Sequence, residues 1–246
     1  MNFFFAGHDE IDHDCSLRIP SDARLQRLKA SIEIKKGVQF RVAAEGRGRG
    51  IGLVRSVDDS GLSADFTLVS AHPCAPAIDL VLAIPRPKVL RRLIPRLTSM
   101  GINSVCLVNA CGVLKEYFDT HWLKSENLEE LVLLGLEQGG VCHRPAIITE
   151  KRLKPFIEDK LFCVGAGELR LLCTPHASRG MTALAGMKRL VLAIGPETGW
   201  TDFEEAVFES RGFLPCSLGE EHLASDVAAI ALVGAVKAGF CGVLPK

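Results

Sequence analysis

The sequence has no net charge: 29 lysines and arginines balance 29 aspartates and glutamates. A neutral molecule exerts no long-range pull on nucleic acid or on an anionic membrane, so any polyanion contact has to come from a local patch. There is also no C-x-x-C pair. The nine cysteines are scattered, several inside apolar runs, which excludes the paired spacing of structural zinc sites and suits free thiols used as small hydrophobes in a reducing compartment. Cys173 with His176, and Cys142 with His143, are close in sequence, yet neither has the second pair that zinc spacing requires. We therefore expect no metal and a cytoplasmic location. The apolar run Phe3-Phe4-Phe5-Ala6 has no basic region before it and acids follow at once, so it is not a secretory signal. Val227 to Val243 is apolar but carries Lys237 and several glycine or alanine breaks, which leaves it marginal for a membrane span. A buried or partner-facing helix is expected there, and no membrane contact. Internal repeats and low-complexity tracts are absent.

What is present describes an ordinary globular chain with room for two domains: 246 residues, 48% hydrophobic and 24% charged. The charge is unevenly spread. Between Cys15 and Ser56 ten lysines and arginines face three acids, whereas from Glu197 to Asp226 eight acids face Arg211 alone. A basic first part and an acidic last part suit a protein that grips a polyanion with one region and does something else with the other, although solvated surfaces give the same counts.

The chain is organised around Arg189 to Glu205. Leu190 to Ile194 is apolar without alternation, as in a strand buried on both faces of a parallel sheet. Gly195-Pro196-Glu197-Thr198-Gly199 then forms a loop, and Thr201 with Glu204 has the spacing of a capping box, which predicts a helix ending at Gly212. Ligands of open α/β sheets sit at the carboxyl ends of strands, so this loop is the first candidate site. Turn residues alone would also explain such a connection. The loop is neither a P-loop nor a dinucleotide fingerprint.

Up to about residue 74 the pattern is β-rich. Leu25 to Lys29 reads as a short helix, Val38 to Val42 alternates as a half-buried strand, and Ile51 to Val57 and Phe66 to Val69 read as further strands. Between them Glu45-Gly46-Arg47-Gly48-Arg49-Gly50 is a hairpin loop, and its two arginines are candidate phosphate contacts. After the proline-bearing segment 71–76 the pattern changes. Strands at 80–84, 104–108, 145–148, 161–164 and 169–173 alternate with helices from Lys88, through 123–136, and around Pro155, which predicts a largely parallel α/β sheet and a domain boundary near residue 75. The helix from Lys88 places Lys88, Arg92 and Arg96 on one face with no acid beside them. That face either meets phosphates or is simply solvated.

Ile194-Gly195-Pro196-Glu197-Thr198-Gly199-Trp200, followed by Ser217-Leu218-Gly219-Glu220-Glu221-His222-Leu223, resembles the ribosomal RNA uracil-N3 methyltransferases of the SPOUT superfamily. Their hallmark reads I-G-P-E-G-G-F and then L-G-x-x-I-L-R-x-E-T-A. Glu137-Gln138 with Arg144-Pro145 looks like the family's E-Q…R…P segment, and the order of a small basic β domain before an α/β domain matches across nearly the whole chain.

The resemblance implies a PUA-like β-barrel domain over 1–74 and a trefoil-knotted α/β methyltransferase domain over 75–246. It also implies S-adenosylmethionine as methyl donor, ribosomal RNA as substrate, and a homodimer. By motif, Gly195, Pro196, Glu197 and Gly199 would line one side of the donor, Leu218, Gly219 and Leu223 the other, with Leu172 and Cys173 as a third wall. Arg47, Arg49, Lys88, Arg92 and Arg144 would contact RNA. Glycines admit backbone groups to the nucleoside and leucines bury its ring. Where the family reads L-R-x-E-T-A, this chain reads Leu223-Ala224-Ser225-Asp226-Val227-Ala228. It keeps neither the arginine nor the threonine, and the glutamate is shortened. Asp226 is the candidate base or orienting acid for uracil N3, and equally a helix-start residue beside Ser225. A catalytically silent RNA-binding protein of the same fold and an unrelated small-molecule α/β enzyme are the alternatives.

Overall fold

A computed structural model describes residues 2–71, 77–161, 169–177, 188–219 and 221–241. Two units emerge, Met1–Cys74 with Val132–Arg144, and Ala75–Leu131 with Pro145–Lys246.

In the first unit a five-stranded sheet has the order β1-β3-β4-β5-β2. Its strands are β1 (Phe4–Ala6), β2 (Ser16–Pro20), β3 (Gln39–Ala44), β4 (Gly48–Val57) and β5 (Gly61–Ala71). Only β1 runs parallel to its neighbour β3; the remaining pairs are antiparallel. The short strands β1 and β2 have no sequence signal of their own. Phe40 and Val42 point inward from β3 and pack with Phe4, Leu17, Val54 and Phe66. Gly52 lies under the Phe40 ring, where a Cβ would come within 2.6 Å of the ring edge, so glycine is needed for the ring to lie flat on β4. Helix α1 (Ala23–Ser31) starts at Asp22, whose carboxylate accepts from the backbone N–H groups of Arg24 at 2.9 Å and Leu25 at 3.0 Å.

The segment 132–144 belongs to this unit although it comes much later in sequence. Several interactions tie it there, among them two arginine contacts and a backbone bond from the Gly46 N–H to the Cys142 carbonyl at 2.8 Å. The guanidinium of Arg27 donates twice, at 2.9 Å each, to the Glu137 carboxylate, which is only 3% exposed. Arg49 Nε donates at 2.7 Å to the carbonyl of Gly140.

The second unit is a mixed α/β fold on a six-stranded sheet of order β11-β9-β10-β6-β7-β8, in which every pair is parallel. The strands are β6 (Ala77–Ala83), β7 (Ser104–Val108), β8 (Ala146–Glu150), β9 (Leu169–Cys173), β10 (Arg189–Ile194) and β11 (Leu214–Cys216). The helices are α2 (Pro87–Ser99), α3 (Ser125–Gly139, which belongs to this unit only as far as Leu131), α4 (Leu153–Pro155, continued by a π-helical turn to Lys160), α5 (Asp202–Glu209) and α6 (Ser225–Cys241). The expected strand at 161–164 lies, beyond Leu161, outside the described residues.

β10 sits between β9 and β6, and Leu190 to Ile194 are at most 2% exposed. Each fully buried leucine there contributes about 1.5–3 kcal/mol of apolar burial. At the opposite, amino-terminal edge of the sheet, Asp79 is fully buried and accepts from Arg189 Nε at 2.6 Å, Asn103 Nδ2 at 2.7 Å and Ser104 Oγ at 2.5 Å. These bonds register β6 against β7 and β10. β6 leads to β7 on one side while β10 leads to β11 on the other, so their carboxyl ends form a topological switch point. Among the described residues no helix is long and apolar enough to cross a membrane.

Candidate functional site

Three segments leave the carboxyl ends of β9, β10 and β11, and together with α6 they enclose a cleft in the second unit. The first wall follows β10. Pro196 carbonyl accepts from the Gly199 N–H at 2.9 Å, closing a tight turn in which Gly199 takes φ +79°, a conformation that favours glycine. Gly195 runs against the Trp200 indole, where a Cβ would stand 3.2 Å from Nε1. Trp200 is anchored in turn by Phe208 at 4.8 Å between ring centroids, and Phe208 by Phe213 at 4.9 Å.

The helix that follows is fixed by the capping box the spacing predicts. Thr201 Oγ1 accepts from the Glu204 N–H at 3.3 Å and Glu204 Oε2 accepts from the Thr201 N–H at 2.9 Å. Glu204 is 6% exposed, and its other oxygen accepts from the backbone N–H of Cys111 at 2.7 Å. At the outer edge of the same wall, Arg86 Nη2 pairs with Glu197 Oε2 at 2.7 Å.

The second wall follows β11. Ser217 Oγ accepts from the Gly219 N–H at 3.1 Å, and Gly219 has φ +153°. Leu218 within this bend and Leu223 beyond it line the cleft with 42% and 41% of their surface open to solvent. The third wall is Cys173 to His176. Cys173 faces Cys216, its register partner, with the sulfurs 3.8 Å apart. The hydrogen bond with Cys216, with burial behind it, pushes the Cys173 thiol well above its usual range, so it stays protonated at neutral pH. His176 and His222 meet edge to face at the cleft, 6.0 Å between ring centroids. Ser225, Ala228 and Leu232 complete the lining from α6, and their spacing of three and four places them on one helix face.

Of the residues singled out from the sequence, Cys173, Gly195, Pro196, Glu197, Gly199, Leu218, Gly219 and Leu223 converge on this cleft. Leu172 does not; it is fully buried in the sheet core with Val81, Val191 and Phe208. Asp226 is not among the lining residues either; it is the second residue of α6, and its Oδ1 accepts from the next backbone N–H, Val227, at 3.1 Å.

The candidate RNA contacts divide. Arg47 donates to the carbonyl of Ile11 at 2.6 Å, Arg49 binds Gly140 as described, and Arg144 lies 3.4 Å from Glu45 and 4.8 Å over the Phe5 ring. All three work inside the first unit. Lys88 and Arg92 are exposed on α2, as is Arg96. Sequence reading missed the second role of Glu204, the Arg86–Glu197 pair and the contribution of α6. Only the last had a signal, the helical spacing of Ser225, Ala228 and Leu232.

A cleft of part-exposed leucines and tight glycine bends suits a flat, polar-edged small molecule. Comparison with known proteins narrows this. The family model described as RNA methyltransferase domain matches residues 72–237. The chain is 27% identical over 243 residues to ribosomal RNA small subunit methyltransferase E of Treponema pallidum, covering 97% of this chain and 91% of that one. It is 22% identical to ribosomal RNA small subunit methyltransferase E 1 of Borreliella burgdorferi, covering 94% and 95%. In fold it matches the crystal structure of ribosomal RNA small subunit methyltransferase E of Neisseria gonorrhoeae bound to S-adenosyl methionine. The TM-score is 0.78 at 16% identity, covering 97% and 98% of the two chains.

Proposed function

The chain belongs to the RNA methyltransferase domain family, and on that premise we propose that it transfers the methyl group of S-adenosylmethionine to N3 of a uridine in small-subunit ribosomal RNA. The observation that carries this reading is the convergence of two glycine bends, at 195–199 and 217–219, with Leu218 and Leu223 in one cleft. The names of the Treponema and Borreliella relatives support the substrate, and the Neisseria structure supports the donor.

The residues of the cleft fit such a donor. Leu218 and Leu223 offer apolar surface to a purine ring, while Gly195, Gly199 and Gly219 add no side chain to the lining and so leave room for a ligand beside their backbone. S-adenosylmethionine supplies an electrophilic methyl group on a sulfonium. The chain's part is to hold donor and acceptor in line and to keep water away, which is where most of the acceleration of such a displacement comes from. Uracil N3 must also give up its proton. Asp226 is the acid of the motif that would take or orient it, and to do so its carboxylate would have to turn into the cleft, which it does not line here.

Lys88, Arg92 and Arg96 on α2 would receive RNA phosphates, because α2 begins beside the cleft at the Arg86–Glu197 pair. Arg47, Arg49 and Arg144 would touch RNA only by giving up their present bonds. The reading extends to a knotted SPOUT fold for the second unit and a PUA-like barrel for the first, to a homodimer built on the apolar helix α6, and to a cytoplasmic protein with free thiols.

One feature favours a second reading, a silent RNA-binding protein of the same fold: Ala224 stands where the resembling family has arginine, and alanine donates nothing to an anion. Incubation of small-subunit RNA with tritiated donor separates the two. Label retained in RNA, with reverse transcription stopping at one uridine because N3 methylation blocks its pairing edge, supports the enzyme. Donor binding without transferred label supports the silent protein.

A further inference from the structure

We propose that Glu204 is a positioning residue for methyl transfer, bracing the loop after β7 against the loop after β10 and so fixing the cleft wall from Gly195 to Trp200. The proposal rests on reading that cleft as the methyl-donor site.

A capping box needs one carboxylate oxygen, turned back to the N-cap N–H. In Glu204 that duty falls to Oε2, which accepts from the Thr201 N–H at 2.9 Å and from its hydroxyl at 3.0 Å. Oε1 is not needed for the helix. It accepts instead from the N–H of Cys111 at 2.7 Å, across 93 residues of sequence. Cys111 follows β7, and Thr201 directly follows the cleft loop, so one carboxylate ties two strand-end loops together. It does so at 6% exposure, where water competes little for either bond.

A second feature shows that the two loops interlock. Gly112, next to Cys111, has φ +146°, and a Cβ there would collide with Thr198 Oγ1 and approach Pro196 Cγ at 3.6 Å. Thr198 and Pro196 both line the cleft. The loop after β7 is therefore a backstop for the donor wall, and Glu204 is the bolt that holds it there. A wall with two glycines has many conformations open to it. Where only a fraction of molecules hold the binding-competent shape, the apparent donor affinity falls by that fraction.

Three variants test this. Glu204→Gln keeps the size of the side chain but can no longer accept at both ends. Thr201→Val removes the cap hydroxyl and leaves both Glu204 bonds to backbone N–H groups in place. Gly112→Ala strains the loop after β7 at φ +146° and crowds the Thr198 side chain of the facing loop, leaving Glu204 itself unchanged. Donor affinity is read by calorimetric titration with S-adenosylmethionine, and turnover by steady-state methyl transfer.

The expected result is a roughly tenfold weaker Kd and higher KM for the donor in Glu204→Gln and Gly112→Ala. The KM for RNA and kcat at saturating donor should change by less than about threefold, and Thr201→Val should keep the wild-type donor Kd within about twofold. Equal losses in Glu204→Gln and Thr201→Val would make Glu204 a helix cap only and overturn the proposal, as would an unchanged Kd in Glu204→Gln. Should Glu204→Gln not fold, Gly112→Ala decides alone by the same criterion. A wild-type chain that binds no donor would instead overturn the reading of the cleft.

Discussion

Arg86 and Glu197 join the start of α2 to the turn of the cleft through an ion pair of 2.7 Å, with side chains 63% and 50% exposed. A pair this open to water adds at most about 1 kcal/mol to stability. Its consequence is geometric, since it places the basic face of α2 beside the cleft. We expect Lys88→Ala, Arg92→Ala and Arg96→Ala combined to weaken RNA binding and to lower the slope of log affinity against log salt by about 2, at about 0.7 for each single-strand phosphate no longer neutralised. Donor affinity should not move. Fluorescence anisotropy with labelled small-subunit RNA at several salt concentrations measures this, and an unchanged slope would mean that α2 is only a solvated face.

Leu218 and Leu223 give a cleaner test of the cleft. Being about two-fifths exposed, they contribute little to folding compared with the sheet leucines. Leu218→Ala and Leu223→Ala should therefore each leave the melting temperature nearly unchanged while weakening S-adenosylmethionine binding roughly tenfold, about 1.4 kcal/mol of apolar contact. Thermal melts and calorimetric titration on the same samples separate the two effects. A large fall in melting temperature with intact donor affinity would assign these leucines to the core instead.

Asp22 sets a pH dependence in the first unit. Burial would raise its carboxyl, but the Leu25 N–H, the Arg24 guanidinium and the Arg24 N–H outweigh burial and hold it below the ordinary carboxylate range. A depressed folded value means that the stabilisation is complete above the unfolded value near 3.9 and is lost as the pH falls through the folded one. Asp22→Ala should cost about 1 kcal/mol at neutral pH as a lost N-cap. The gap to wild type should narrow below about pH 4. Chemical denaturation across that range measures it, and a gap independent of pH would contradict the account.

What could be read from the sequence was local. The buried run Leu190 to Ile194, the Thr201–Glu204 cap and the glycine bends depend on neighbours within a few residues, and each is found where the pattern puts it. What could not be read was set by strand order. Nothing near Glu204 points to Cys111, because β7 and β10 approach each other only through β6. Segment 132–144 reads as the end of a helix, yet it packs with the first unit through Glu137 and Gly140.

Composition misleads where charge has two uses. The Gly-Arg-Gly-Arg hairpin reads as a phosphate contact, whereas the guanidinium groups of Arg47 and Arg49 are committed to the carbonyls of Ile11 and Gly140. β11, three residues long with Pro215 at its centre, falls below any periodic signal. Leu172 follows the same logic: its neighbour Cys173 faces the cleft, and strand alternation turns Leu172 into the core.

The central claim is that the bends at Gly195–Gly199 and Ser217–Gly219 hold S-adenosylmethionine between them. A crystal of the full chain soaked with the donor tests it most directly. The account predicts the nucleoside between those bends, its ring against Leu218 and Leu223, with backbone contacts from both loops. Donor density elsewhere, or none at concentrations that saturate methyl transfer, would contradict it.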